Sequence, residues 1–154
     1  TNTAKSLLLA LNDIKNEDVI WINGDLIIEA DIFKNIYSYN GSGMAVSNKS
    51  SLNEEEIKYT IDLDGHISKV SKIVENGLGE AFGLNRISKE DLGLLKKSLA
   101  ACENLDYFER GIEIAISNNL IIKPIDVGSL FYTEVDFEED LNYAINFLNK
   151  ERNI

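Results

Sequence analysis

Residues 18–25 read Asp-Val-Ile-Trp-Ile-Asn-Gly-Asp, and this stretch decides the class of fold. Four consecutive β-branched or aromatic residues form a short buried strand, and Asn23-Gly24-Asp25 supplies the turn that ends it. A continuous apolar strand of this kind belongs in a sheet covered on both faces. Upstream, Leu7, Leu11 and Ile14 share one face of a helix over Thr3 to Ile14. Downstream, Asp31 is placed to cap a helix reaching Tyr39, and Gly43 to Ser47 forms a second apolar strand.

Further out, a polar loop covers Asn48 to Glu56. Ile57, Tyr59, Ile61 and Leu63 then alternate with Lys58, Thr60 and Asp62, and Asp64-Gly65 turns the chain into His66 to Lys72, an antiparallel hairpin. Glu80 to Ile87 is a strand. Ser88 and Asp91 stand at capping-box spacing before a helix bearing Leu92, Leu95, Leu99 and Cys102. Asp106 is the expected cap of the next helix, whose apolar face is Phe108, Ile112, Ala115 and Ile116. Strands over Leu120 to Val127 and Leu130 to Val135 follow. Asp136 and Glu139 then open a last helix with Leu141, Ala144, Ile145 and Leu148 on one face. Alternating helices and strands with one hairpin among them give an α/β layer structure with a mixed sheet.

The 154 residues are 44% hydrophobic, enough for one globular domain with a real core. Pro124 is the one proline, and neither a linker nor an internal repeat interrupts the pattern. No apolar stretch is long enough to span a bilayer. The single cysteine, Cys102, forms no internal disulfide, so a soluble protein in a cytoplasmic setting is expected. The formal net charge is −11, from 26 acidic and 15 basic residues. That charge repels nucleic-acid polymers and anionic membranes, and neither is expected as a partner. Small phosphates remain accessible, because a bound divalent cation reverses the local sign of the field.

Asp25 and Asp136 each follow a strand, where an open α/β sheet presents its ligand crevice. Mg²⁺ takes oxygen ligands and commonly one or two protein carboxylates, leaving other positions for water and phosphates. Each aspartate also has a plain structural reading: Asp136 as a helix N-cap, Asp25 as half of an ordinary Gly-Asp turn. The two readings of Asp136 are compatible, since a cap uses one carboxylate oxygen. Lys72 reads either as a phosphate contact or as a solvated strand-end lysine. His66, the only histidine, is expected to be an exposed strand residue without a general-base role.

Taken in order, several segments resemble the carboxyl-terminal portion of the sugar-phosphate nucleotidyltransferase superfamily. The similarity is greatest to its phosphocholine and aminoethylphosphonate cytidylyltransferase branch. The segments are Asn2-Thr3 with Ser6-Leu7 and Ala10; Asn23-Gly24-Asp25; Glu55-Glu56-Ile57-Lys58; Asp64-Gly65 with Ser71-Lys72; Gly79 to Leu84; Tyr107-Phe108-Glu109; and Glu134-Val135-Asp136 with Asp140-Leu141. The resemblance implies a Rossmann-like, GT-A-like three-layer fold with a mixed sheet, lacking its N-terminal portion. Residues 1–154 would then be the carboxyl-terminal part of a single nucleotidyltransferase domain.

The resemblance also implies an activity: a nucleoside monophosphate, CMP from CTP, passes to a small phosphorylated or phosphonate acceptor such as phosphocholine or a sugar phosphate. Asp25 and Asp136 become the Mg²⁺ ligands, and Asn2, Ser6 and Gly24 lie by the nucleotide. Lys72, Glu80, Glu109, Tyr132 and Glu134 become acceptor contacts; carboxylates and aromatic rings such as Tyr107 and Tyr132 attract a cationic head. No protein nucleophile or general base is required of an acceptor that is already anionic.

The chain departs from the pattern at Tyr132, where the family usually has tryptophan, and at Phe137-Glu138, which replace Thr-Pro. The family's Gly-x-Gly-x-Arg and Pro-Lys are not in these residues, so little or no turnover is expected of the chain alone, and its open sheet is expected to favour self-association. Two rival readings are a metal-dependent glycosyltransferase and a catalytically silent binding module. The first uses Asp-x-Asp where this chain has Asn23-Gly24-Asp25.

Overall fold

Helix α1 (Thr3–Leu11) leads into β1 (Val19–Ile22), β2 (Leu26–Ile28), α2 (Ala30–Ser38) and β3 (Gly43–Ser47). The hairpin of β4 (Lys58–Ile61) and β5 (Ile67–Ser71) follows, then β6 (Gly79–Ile87), α3 (Lys89–Ala101) and α4 (Phe108–Ser117). The chain closes with β7 (Lys123–Asp126), β8 (Tyr132–Glu134) and α5 (Glu138–Glu151). This computed structural model describes residues 2–48, 52 and 54–151. Part of the expected polar loop, residues 49–51 and 53, lies outside them.

The long strand β6 is the axis of the main sheet, whose order is β5-β4-β6-β3-β7. Strand β3 runs antiparallel along one side of it. On the other side β1 pairs with its second half, from Val19 opposite Ile87 to Ile22 opposite Leu84, while β4 meets its start at Lys58 opposite Glu80. Strand β7 joins β3 in parallel, which makes the sheet mixed as expected. A separate two-stranded sheet pairs β2 with β8.

Apolar side chains cover both faces. Leu11, Met44, Leu95, Leu99 and Ile112 belong to a core under α1, α3 and α4, while Ile32, Ile36, Ala45, Phe82 and Leu84 form a second core under α2. Strand β1 serves both: Val19 and Trp21 pack on the first core and Ile20 on the second. Trp21 meets Phe108 edge-on, with ring centroids 5.9 Å apart. The strand is thus contacted on both faces, but less enclosed than its apolar run predicts: Val19, Ile20 and Trp21 are half-buried and Ile22 is exposed.

Helix ends are where the structure departs from the sequence pattern. Ser88 does cap α3, accepting from the Asp91 N–H, and the Asp91 carboxylate takes the hydroxyls of both Ser88 and Ser42. Asp31 is not a cap: it lies in the first turn of α2 and pairs with Lys34, and the cap position belongs to Glu29. Asp106 instead accepts from the Glu103 N–H, and the α4 cap bond comes from Thr3. At α5 the Asp140 carboxylate, rather than a Glu139 box, accepts from the N–H groups of Asp136 and Phe137. His66 is half-buried rather than exposed and lies 3.8 Å from Asp62. Among the described residues no helix is long and apolar enough to cross a membrane.

Candidate active site

An open cleft of about 1430 Å³ lies where the β2–β8 sheet meets the start of β6 and the first turn of α4. The pairing of β2 with β8 builds its acidic wall. Leu26 stands opposite Glu134, and the Val135 N–H donates to the Asp25 carbonyl at 2.9 Å. This register brings Gly24-Asp25 alongside Val135-Asp136, although 110 residues of sequence separate the two aspartates (136 − 25 = 111 positions). Both carboxylates are exposed on the cleft, and Asp140 accepts from the N–H groups of Asp136 and Phe137, including the Asp136 N–H that a Glu139 box would have taken.

Glu134 lies between them. Burial pushes its carboxyl above the usual range, and the charges of Asp25, Glu80 and Asp136 push the same way, while a bond from the Asn23 side chain opposes them. Asn23 reaches Glu134 by crossing closely over Gly83. A Cβ on Gly83, whose φ is +81°, would stand 2.3 Å from Asn23 Nδ2, so glycine is required there. Four carboxylates converging on one region suit a hard divalent cation, which removes their mutual repulsion. The donor set fits Mg²⁺ in kind. Among the described residues the one tight trio of metal-binding types is elsewhere, Asp62, Asp64 and His66 in the hairpin turn. Asp62 there accepts from the N–H groups of Asp64 and His66, a turn arrangement.

The remaining wall is aromatic and acidic. Tyr132 stacks on Phe82, with centroids 4.1 Å apart, and donates its hydroxyl to Glu80 at 2.7 Å. Glu80 and Glu109 are buried, and Glu109 Oε2 has no hydrogen-bond partner. Burial, reinforced by Glu134, pushes the Glu109 carboxyl up to about 7, with its own backbone N–H and Lys72 acting against the shift. Tyr107 and Lys72 line the same cleft, and Lys72 is paired with Glu55 at 2.7 Å.

Most residues singled out in the sequence therefore meet in one cleft: Gly24, Asp25, Lys72, Glu80, Glu109, Tyr132, Glu134 and Asp136. Asn2 and Ser6 do not line it. The Asn2 amide is spent on the Thr3 N–H and the Leu105 carbonyl, and the Ser6 hydroxyl donates to the Asn2 carbonyl. Thr3, Asn23 and Glu55 entered the sequence reading only as parts of longer segments, with no role of their own, and Phe131 did not enter it. Asn23 had a signal, its place in the turn ahead of Asp25; the others enter through long-range packing.

The arrangement of sheet, hairpin and cleft is the nucleotidyltransferase fold. It matches the inositol-1-phosphate CTP transferase of T. maritima with a TM-score of 0.76 and 23% identity, over 96% of this chain and 60% of that one. It also matches HddC of Yersinia pseudotuberculosis (TM-score 0.66, 19% identity, 96% and 62% covered). A third match is the CTP:phosphocholine cytidylyltransferase of Streptococcus pneumoniae (TM-score 0.69, 17% identity, 96% and 64% covered). The chain thus spans about 60% of the length of these solved structures. No protein-family model and no curated protein sequence matches it.

Proposed function

We propose that this chain is the acceptor-side part of a Mg²⁺-dependent nucleotidyltransferase that transfers CMP from CTP to a small phosphorylated acceptor with a cationic head, such as phosphocholine. The observation that carries the reading is the β2–β8 register, which aligns Gly24-Asp25 with Val135-Asp136 on one cleft of a nucleotidyltransferase fold. Asp25 and Asp136 are the residues that would hold Mg²⁺, which when bound supplies positive charge against the nucleotide phosphates.

The chain's own groups handle the acceptor. The Lys72 ammonium attracts its phosphate once Glu55 gives way, and Glu80, Glu109 and Glu134 with Tyr107 and Tyr132 surround its ammonium group. Held at both ends, the acceptor presents a phosphate oxygen to the α-phosphorus. A new P–O bond forms as the bond to the β-phosphate oxygen breaks and pyrophosphate departs with its electron pair. Orientation and charge placement account for the rate enhancement, so no protein nucleophile is consumed.

Calorimetric titration of the chain tests this. Mg²⁺ binding is expected to be lost in both Asp25→Asn and Asp136→Asn, and phosphocholine is expected to bind at least several-fold more tightly than inorganic phosphate. Mg²⁺ binding indifferent to both substitutions would sink the metal assignment. In turnover assays of the full-length protein, pyrophosphate from CTP supports the reading, whereas free nucleoside diphosphate from a sugar nucleotide replaces it with glycosyl transfer.

A further inference from the structure

The first turn of α4 carries Tyr107, Phe108 and Glu109 along the cleft, yet no neighbouring side chain caps that helix. Tyr107 at the cap position makes no side-chain cap bond, and Asp106 is turned back to the Glu103 N–H. The missing acceptor comes from 105 residues upstream: the Phe108 N–H donates to Thr3 Oγ1 at 3.0 Å. Three more bonds flank it. The Asn2 N–H donates to the Asn104 carbonyl, Asn2 Nδ2 to the Leu105 carbonyl, and the Ala4 N–H to the Asp106 carbonyl. The start of α1 is thus zipped to the start of α4, with the Thr3 hydroxyl as the one side-chain link to the helix itself among the described residues. Thr3 also lines the cleft.

Glu109 follows Phe108 directly. Its Oε2 has no partner, so the direction of the helix start, and not a bond at that oxygen, sets where it lies. A cap fixes the entry of the chain into the helix, and every side chain of the first turn inherits that orientation.

We propose that Thr3 is a positioning residue of the cleft: its hydroxyl fixes the first turn of α4 and thereby holds the Glu109 carboxylate where the cationic head of the acceptor docks. The acceptor half of this statement rests on the function proposed above; the positioning half does not.

Two isolated substitutions separate the hydroxyl from the bulk. Thr3→Val keeps the shape and removes the acceptor, and Thr3→Ser keeps the hydroxyl. Two readouts are needed: the carbon-13 titration of the Glu109 carboxyl, and affinities for phosphocholine and for inorganic phosphate. Thr3→Val is expected to move the Glu109 midpoint from about 7 down toward 4.5 as the turn frays and water enters. It should weaken phosphocholine about fivefold, as expected for loss of one cap, with phosphate affinity unchanged.

Thr3→Ser should behave as the parent protein. If Thr3→Val is insoluble, Thr3→Ala supplies the same comparison. An unchanged Glu109 titration in the variant lacking the hydroxyl overturns the proposal, and so does equal weakening by Val and Ser. If the parent chain does not distinguish phosphocholine from phosphate, the acceptor reading fails, and the Glu109 titration still decides the role of Thr3.

Discussion

Glu109 is the residue whose surroundings most oppose its charge. Burial is the main reason, and Glu134 adds to it, so its carboxyl titrates at about 7 in the folded chain against 4.5 without the fold. A raised acid pKa means that the folded state holds the proton more tightly than the unfolded one. Stability is then greatest below pH 4.5 as far as this group is concerned, and declines as pH rises from 4.5 through 7. The full shift corresponds to at most about 3 kcal/mol. Glu109→Gln keeps the shape and removes the titration. It is therefore expected to be more stable than the parent at pH 8, by about 1–3 kcal/mol, and to show a flatter profile between pH 5 and 7. Urea midpoints of both proteins at pH 5 and pH 8 check this. A parent chain that gains stability across that window would contradict the burial of an uncompensated carboxyl. A cationic ligand in the cleft would reverse the preference by favouring the charged form, and under the function proposed above the instability is the cost of a site preorganised for an ammonium group.

At the scale of elements, apolar patterning placed most helices and strands. The run Val19 to Ile22 marked β1, whose first three residues pack on the two cores while Ile22 is exposed, and the alternation from Ile57 marked β4, where Ile57 and Tyr59 pack on the first core but Ile61 and Leu63 are exposed. Strand β2 was not legible: its three residues pair only with β8, across more than a hundred positions, and locally they read as the tail of a turn. Caps misled for the same reason. Asp31 and Asp106 have the right chemistry, but Thr3 reaches α4 from the other end of the chain, which no local motif records. Asp25 and Asp136 were legible as cleft residues through their places after strands, and Glu80, Glu109 and Glu134 only through the resemblance; Asn2 and Ser6 do not line the cleft, because their polar groups close local and long-range backbone bonds instead. The crossing of Asn23 over β6 gives a prediction at this scale. Gly83→Ala puts a Cβ 2.3 Å from Asn23 Nδ2 at a backbone with φ of +81°, costing about 1–3 kcal/mol. Displacing Asn23 also removes the bond that restrains the Glu134 pKa, so that carboxyl should titrate higher still. Thermal unfolding with carbon-13 titration of Glu134 measures both effects, and an unaltered Glu134 would dissociate Asn23 from the acidic wall.

For the molecule as a whole, 26 acidic residues against 15 basic ones mean that any site for anions must first overcome a repulsive field. The fold concentrates Asp25, Glu80, Glu134 and Asp136 along one cleft, raising the local cost of keeping them all ionised. A divalent cation relieves that cost only in the folded state, because the unfolded chain scatters the four groups. Mg²⁺ at about a hundred times its dissociation constant should therefore stabilise the protein by about 2.7 kcal/mol, or a rise of roughly 5–10 °C in Tm at this size. Sodium chloride at matched ionic strength should not reproduce the rise, since screening lowers repulsion without occupying a site. Asp25→Asn and Asp136→Asn are expected to abolish it. The hairpin trio of Asp62, Asp64 and His66 is the competing location, and Asp64→Asn is the control that separates the two. Loss of the Mg²⁺-dependent rise in the hairpin variant, with the rise preserved in both cleft variants, would move the cation to the exposed turn. It would leave the cleft as a cation-seeking pocket with no metal of its own. The opposite pattern would tie the acidity of the chain to the phosphate chemistry proposed above, because only a cation held in the cleft reverses the field where the nucleotide would lie.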